Sequence, residues 1–232
     1  MKFLISVWAL CLGLLVLPGI SRSAPWHIEP EIGTSIPVSL GAKVSAMSPL
    51  RVGLRTGVGF TPSGYVSIAN SVAQSFGAYD DATASLIKAA ASNAFYFSTQ
   101  VVYRFGETQG FEIAAGYSLM SGAGNSSAVN VIEAATGRSF PSAPGTTPAH
   151  LQSTLHNLAV DIGYRWVVKD RLQIAGALGL VKPLGSSTSV SVQGAGPIVS
   201  QAIENAVDQY LNNIYQQYVY IPTISLGFSY VF

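Results

Sequence analysis

Along much of the chain, large apolar residues recur at every second position, with small or polar residues between them. In "PTISLGFSYVF", Ile224, Leu226, Phe228, Tyr230 and Phe232 alternate with Thr223, Ser225, Gly227 and Ser229, and only Val231 departs. A period of two marks a strand with two unlike faces. "FYFSTQVVYRF" sets Phe95, Phe97, Thr99, Val101, Tyr103 and Phe105 against Tyr96, Ser98, Gln100, Val102 and Arg104. "FEIAAGYSL", "LAVDIGYRWV", "LQIAGALGL" and "RVGLRTGVGF" repeat the pattern, and "VSLGAKVSA" and "WHIEPEIG" follow it more loosely. The pattern predicts eight strands, near 26–33, 38–46, 51–60, 94–105, 110–120, 155–167, 171–181 and 219–232.

The connections alternate as well. "MSPL", "GETQ" and "VKD" are short, whereas 61–93, 121–154 and 182–218 are long; the first connection, Thr34 to Pro37, is a short exception. Helical spacing reappears inside the long segments. "YVSIANSVAQSF" and "DDATASLIKAAASN" read as a helical pair, the second opening at Asp80 or Asp81 and closing near Lys88. "SSAVNVIEAATG" reads as a short helix stopped by Gly137. After Pro197, residues Val199, Ala202, Ile203, Ala206, Val207, Tyr210, Leu211 and Ile214 form one apolar stripe.

Composition turns this pattern toward a membrane. Charged residues make up 10% of the chain, against roughly 25% in a soluble domain. Residues 1–23 have the form of a cleaved signal peptide: Lys2, an apolar run from Phe3 to Leu17, then Pro18-Gly19 before "SRSAP". The only cysteine, Cys11, lies in that run, so the mature chain from Ala24 is expected to have no thiol chemistry. No later apolar run is long enough for a spanning helix of about 20 residues. An exported, charge-poor chain of alternating strands is left with the closed barrel as its way to span a membrane. An even strand number puts both ends on one side, the side of the short turns.

The charges sharpen this picture. The apolar sets contain no Asp, Glu, Lys or Arg, whereas Glu29, Glu31, Lys43, Arg51, Arg55, Arg104, Glu112, Asp161 and Arg165 fall on the opposite, inward faces. Four acids and five bases would nearly neutralise one another inside. A turn centred on Thr108 places Arg104 across from Glu112 and Phe105 across from Phe111; a looser register places Glu29 across from Lys43. Eight strands enclose a space that their own side chains fill, which favours a structural plug over an ion path.

Chemistry is sparse. "STLHN" offers Ser153 and Thr154 near His156, with Thr154 on the same strand face as His156, but no acidic residue stands nearby to orient the imidazole. His27 and His150 are isolated, no His, Asp and Glu cluster has metal spacing, and no cofactor is expected. With Lys2 and Arg22 removed, ten basic residues face eleven acidic ones, a balance that gives no reason to expect nucleic acid as a partner.

The chain resembles the small outer-membrane β-barrel proteins of Gram-negative bacteria, of the type found in the membrane domain of OmpA and in OmpX. The resemblance covers the architecture of the mature chain, and its specific motif is the final strand, with Leu226, Phe228, Tyr230 and Phe232 alternating. It implies an all-β membrane fold, an eight-stranded antiparallel up-and-down barrel, located in the outer membrane. It also implies that the final strand is read by the barrel assembly machinery. Outer-membrane lipids and lipopolysaccharide are the expected surroundings. The apolar loop stripe implies a helical cap, or a face for an envelope or surface protein. A non-enzymatic role in envelope structure or surface interaction is the expected function. A narrow porin-like channel and a lipid-modifying hydrolase are the alternatives.

Overall fold

The structure, a computed structural model, describes residues 26–75, 77, 81–106, 109–127, 148–169, 171–192, 205, 209 and 220–231. The expected signal peptide, the stripe at Ala202, Ile203, Ala206, Val207, Tyr210, Leu211 and Ile214, and the terminal Phe232 lie outside them. Among the described residues eight strands occur: β1 (His27–Ile36), β2 (Ser39–Met47), β3 (Val52–Phe60), β4 (Phe95–Arg104), β5 (Gly110–Ser127), β6 (Pro148–Lys169), β7 (Leu172–Val192) and β8 (Ile221–Tyr230). Every neighbouring pair is antiparallel, and β1 against β8 closes the ring.

Two helices rise between β3 and β4: α1 (Ser63–Ser75) and α2 (Asp81–Ala91). Asp81 in the first turn of α2 and Lys88 in its last complement the helix dipole. Asn70 of α1 donates from Nδ2 to the carbonyl of Ala84, 2.7 Å away, and ties the pair together.

The alternation set the strands of the wall, but β1 runs on to Ile36 through most of the expected first connection, and three others run much further than expected. β5 continues to Ser127, β6 begins at Pro148 and β7 continues to Val192. Parts of the expected loops 121–154 and 182–218 are therefore sheet, and Ser126 and Ser127, expected to open a loop helix, end β5 instead. The physical reason is visible on β6. In the wall its outward residues are Leu158, Val160, Ile162 and Trp166, all exposed, while Asn157 and Arg165 are buried inside. Above His156 the polarity inverts: Leu151 and Leu155 point inward and are buried, while Gln152 and His156 point outward and are exposed. The strand continues in phase as the surrounding solvent changes from lipid to water. The apolar set therefore changes parity, and a reading by apolar alternation loses the strand there.

The inverted faces enclose a core. Leu86 of α2 is 1% exposed and packs with Leu151, Leu155, Val190, Met120, Val38 and Tyr96. Gly122 and Gly124 let α2 lie directly on β5, since a Cβ at either would collide with the carbonyl oxygen of Ala90 or Ala89. The core thus closes the long-loop end of the barrel.

Candidate functional site

Inside the wall, six of the expected charges form one buried network. Arg104 donates to both carboxylate oxygens of Glu29, at 2.8 and 2.7 Å. Arg165 donates to Glu31 at 2.9 Å, to Glu112 at 3.3 Å and to Ser229 at 2.5 Å. Arg55 pairs with Glu112 and donates to Ser45 at 3.1 Å. Glu112 therefore sits among three guanidinium groups, with Arg104 at 3.5 Å. Arg104 and Arg165 are 1% and 0% exposed, so the network is sealed from both ends. A buried charge is tolerated only when it is paired and hydrogen-bonded; three Arg against three Glu meet this condition, with Nε of Arg104 the one guanidinium nitrogen of the network left buried without a partner.

Small residues make the room. A Cβ at Gly227 would meet Oε1 of Glu31 at 2.6 Å, and one at Gly57 would meet Cγ of Lys43 at 2.8 Å. Nearer the mouth, Lys43 reaches Ser35 at 3.4 Å, and Gln100 donates to Asp161 at 2.5 Å. The space beside Lys43, Tyr96, Gln100 and Asp161 is about 20 Å³, room for roughly one water.

The structure corrects two expectations. Arg51 lies outside: it sits in the turn before β3 with φ 65°, is exposed, and donates to the carbonyl of Phe105 at 3.3 Å. Strand parity extended one residue past the strand end had assigned it inward. Its removal leaves Glu29, Glu31, Glu112 and Asp161 balanced by Lys43, Arg55, Arg104 and Arg165. Secondly, Lys43 stands across from Glu31, with Glu29 across from Ser45; the register expected for Glu29 was two residues off, because the turn closes at Pro37-Val38. Arg104 does stand across from Glu112. Gln173, Ser229 and Ser45 join the network unannounced. Their inward parity was available as a signal, but nothing in the sequence shows that polar residues on three different strands converge.

The possible acyl-transfer pair is not assembled. Ser153 points inward and is buried, near Oγ1 of Thr188 at 3.2 Å. Thr154 pairs across the strand with Ser121 at 3.1 Å, and His156 pairs through Nδ1 with the hydroxyl of Tyr117 at 2.5 Å. Among the described residues no group of His, Cys, Asp and Glu could hold a metal ion.

Outside, the belt is apolar around the ring: Ile32, Val58, Phe95, Phe111, Ile162, Leu178 and Ile224 are among its exposed members. Leu226, Phe228 and Tyr230 of the final strand belong to it too, 40–48% exposed. A closed ring of eight strands, apolar outside and ion-paired inside, has its solvent relations reversed from those of a soluble protein. A search among solved structures finds a similar fold in a major outer membrane protein from Thermus thermophilus. The two superpose with a TM-score of 0.50 at 14% identity, over 90% of this chain and 100% of that one.

The chain folds as a small outer-membrane β-barrel. CarO from Acinetobacter baumannii (TM-score 0.43, 12% identity, covering 91% of this chain and 100% of that one) overlaps more loosely. So does the N-terminal barrel domain of Pseudomonas aeruginosa OprF (TM-score 0.42, 10% identity, 89% and 96%). No protein-family model and no curated protein matches the sequence. The outer-membrane barrel thus takes its fold assignment from shape and its chemistry from its own residues.

Proposed function

We propose that the chain is a non-enzymatic, closed outer-membrane barrel that holds a rigid sheet-and-helix platform at the cell surface, serving envelope structure or surface interaction. The observation that carries this is double closure of the lumen. An ion-paired plug fills the wall, and an apolar core of α2 against β5, β6 and β7 fills the mouth. A solute path would need both opened, and the space between them beside Lys43, Tyr96, Gln100 and Asp161 is water-sized. Hydrolysis is disfavoured because His156 is paired with Tyr117 and Thr154 with Ser121. Planar-bilayer recording tests the reading. The protein, with and without residues 63–91, should give no unit conductance, and reproducible steps from the intact chain overturn it in favour of a narrow channel.

A further inference from the structure

Where the sheet changes polarity, its outward surface carries a feature that the closed lumen does not explain. Among the described outward side chains of the eight strands, Lys182 on β7 is the one that bears a formal charge. Its Nζ stands 5.0 Å from the ring centroid of Tyr220, a cation–π contact that keeps the ammonium against the sheet. Among the described residues no carboxylate is in ion-pair reach of it. Leu158 stands directly across from Lys182 on one side and from Tyr117 on the other. His156 lies two residues further along the same face as Leu158, bonded to Tyr117. Between His156 and Asn157 the pairing of β6 with β7 shifts register, so the exposed imidazole and the ammonium share one outward surface on the two sides of this irregularity, each held by a tyrosine.

Height fixes the surroundings. Ten steps from Leu172 to Lys182, at about 3.3 Å each and tilted by roughly 40°, rise about 25 Å, the height of the apolar band of such barrels. Leu178 and Leu180 below Lys182 are exposed to that band, while Ser187, Ser189 and Ser191 above it face water. This end carries the long connections, so it lies at the outer leaflet. When Tyr117 donates its hydroxyl to Nδ1, the imidazole proton sits on Nε2, a donor facing outward.

We propose that Lys182 and His156, braced by Tyr220 and Tyr117, form a surface site for the phosphate of an outer-leaflet lipid headgroup, with Leu158 beneath as contact for its acyl chain. The site is independent of whether solutes pass through the barrel.

Native mass spectrometry of the full chain, released from vesicles of phosphatidylcholine doped with either lipid A or phosphatidylglycerol, provides the test. A phosphate-bearing anionic lipid should be retained over phosphatidylcholine, and Lys182→Gln should cut retention roughly fivefold, the effect of one lysine near an anionic surface. His156→Phe should weaken it further. The lipid retained better, lipid A or phosphatidylglycerol, identifies the headgroup. Because both side chains point away from the interior, the variants should keep their heat-modifiable migration, which separates lost binding from lost folding. Equal retention of phosphatidylcholine, or retention unchanged in Lys182→Gln, overturns the proposal, as does full competition by inorganic phosphate.

Discussion

Toward its short-turn end the barrel is filled by Arg55, Arg104 and Arg165 against Glu29, Glu31 and Glu112, whereas toward its long-loop end Leu86, Leu151, Leu155 and Val190 fill it. The two fillings exclude water by different physics, and the difference follows from what each level has to work with. Within the wall only the strands' own side chains reach the axis, so long groups must span it. Guanidinium and carboxylate groups do this while satisfying one another. At the mouth α2 lies across the opening, so ordinary leucine packing suffices. A directional network fails when one member is lost, because its partners keep buried charge. An apolar core is non-directional and tolerates a change of shape at constant volume.

Removing the hub of the network should therefore have the largest effect. Glu112→Ala leaves Arg55, Arg104 and Arg165 short of a shared acceptor, and breaking a buried pair in this way costs about 3–5 kcal/mol. Urea titration of the folded barrel in vesicles should show that loss across the whole cooperative transition. A loss under about 1 kcal/mol would mean that the plug is ornamental to stability.

At the mouth the equivalent deletion is Leu151→Ala, in a residue with no exposed surface. Its cost is about 2–5 kcal/mol, but it should appear locally. Hydrogen exchange should quicken in α1 and α2 while the amides of β1 to β4 stay protected. Leu151→Met should restore most of the protection. Uniform loosening of the ring would erase the distinction between plug and cap. A smaller effect, about 1–3 kcal/mol, is expected for Asn70→Ala, which leaves the buried carbonyl of Ala84 without that donor. It should quicken exchange in the helical pair, and unchanged exchange there would show that the pair is held by leucine packing alone.

These two regions were unequally legible in the sequence. Alternation revealed the wall, its charge-free belt and the Arg104–Glu112 pairing, because lipid outside and ion pairs inside make the two faces chemically opposite. It missed the upper parts of β5, β6 and β7, where Leu151 is inward although Leu158 and Val160, lower on the same strand, are outward. Reading apolar residues as one face presumes one solvent along the strand. That presumption fails where the membrane ends, so the misreading itself marks the boundary. The glycines at 122 and 124 carried a signal too, since "SGAG" looks like loop but serves as the flat seat of α2.

Arg51 gives the weakest effect and the sharpest check on parity as a guide. By alternation it belongs with Arg55, four residues on; in the fold it hangs from a turn with its guanidinium on the carbonyl of Phe105. Arg51→Ala should change stability by no more than about 0.5 kcal/mol, as exposed substitutions usually do, while Arg55→Ala should cost several times more because it strips a partner from Glu112. The two variants, titrated side by side in urea, differ chiefly in whether the guanidinium is buried in the network or exposed at the turn. Equal losses would put Arg51 back inside, restore a fifth base to the interior, and leave the plug with one more positive charge than its four carboxylates balance.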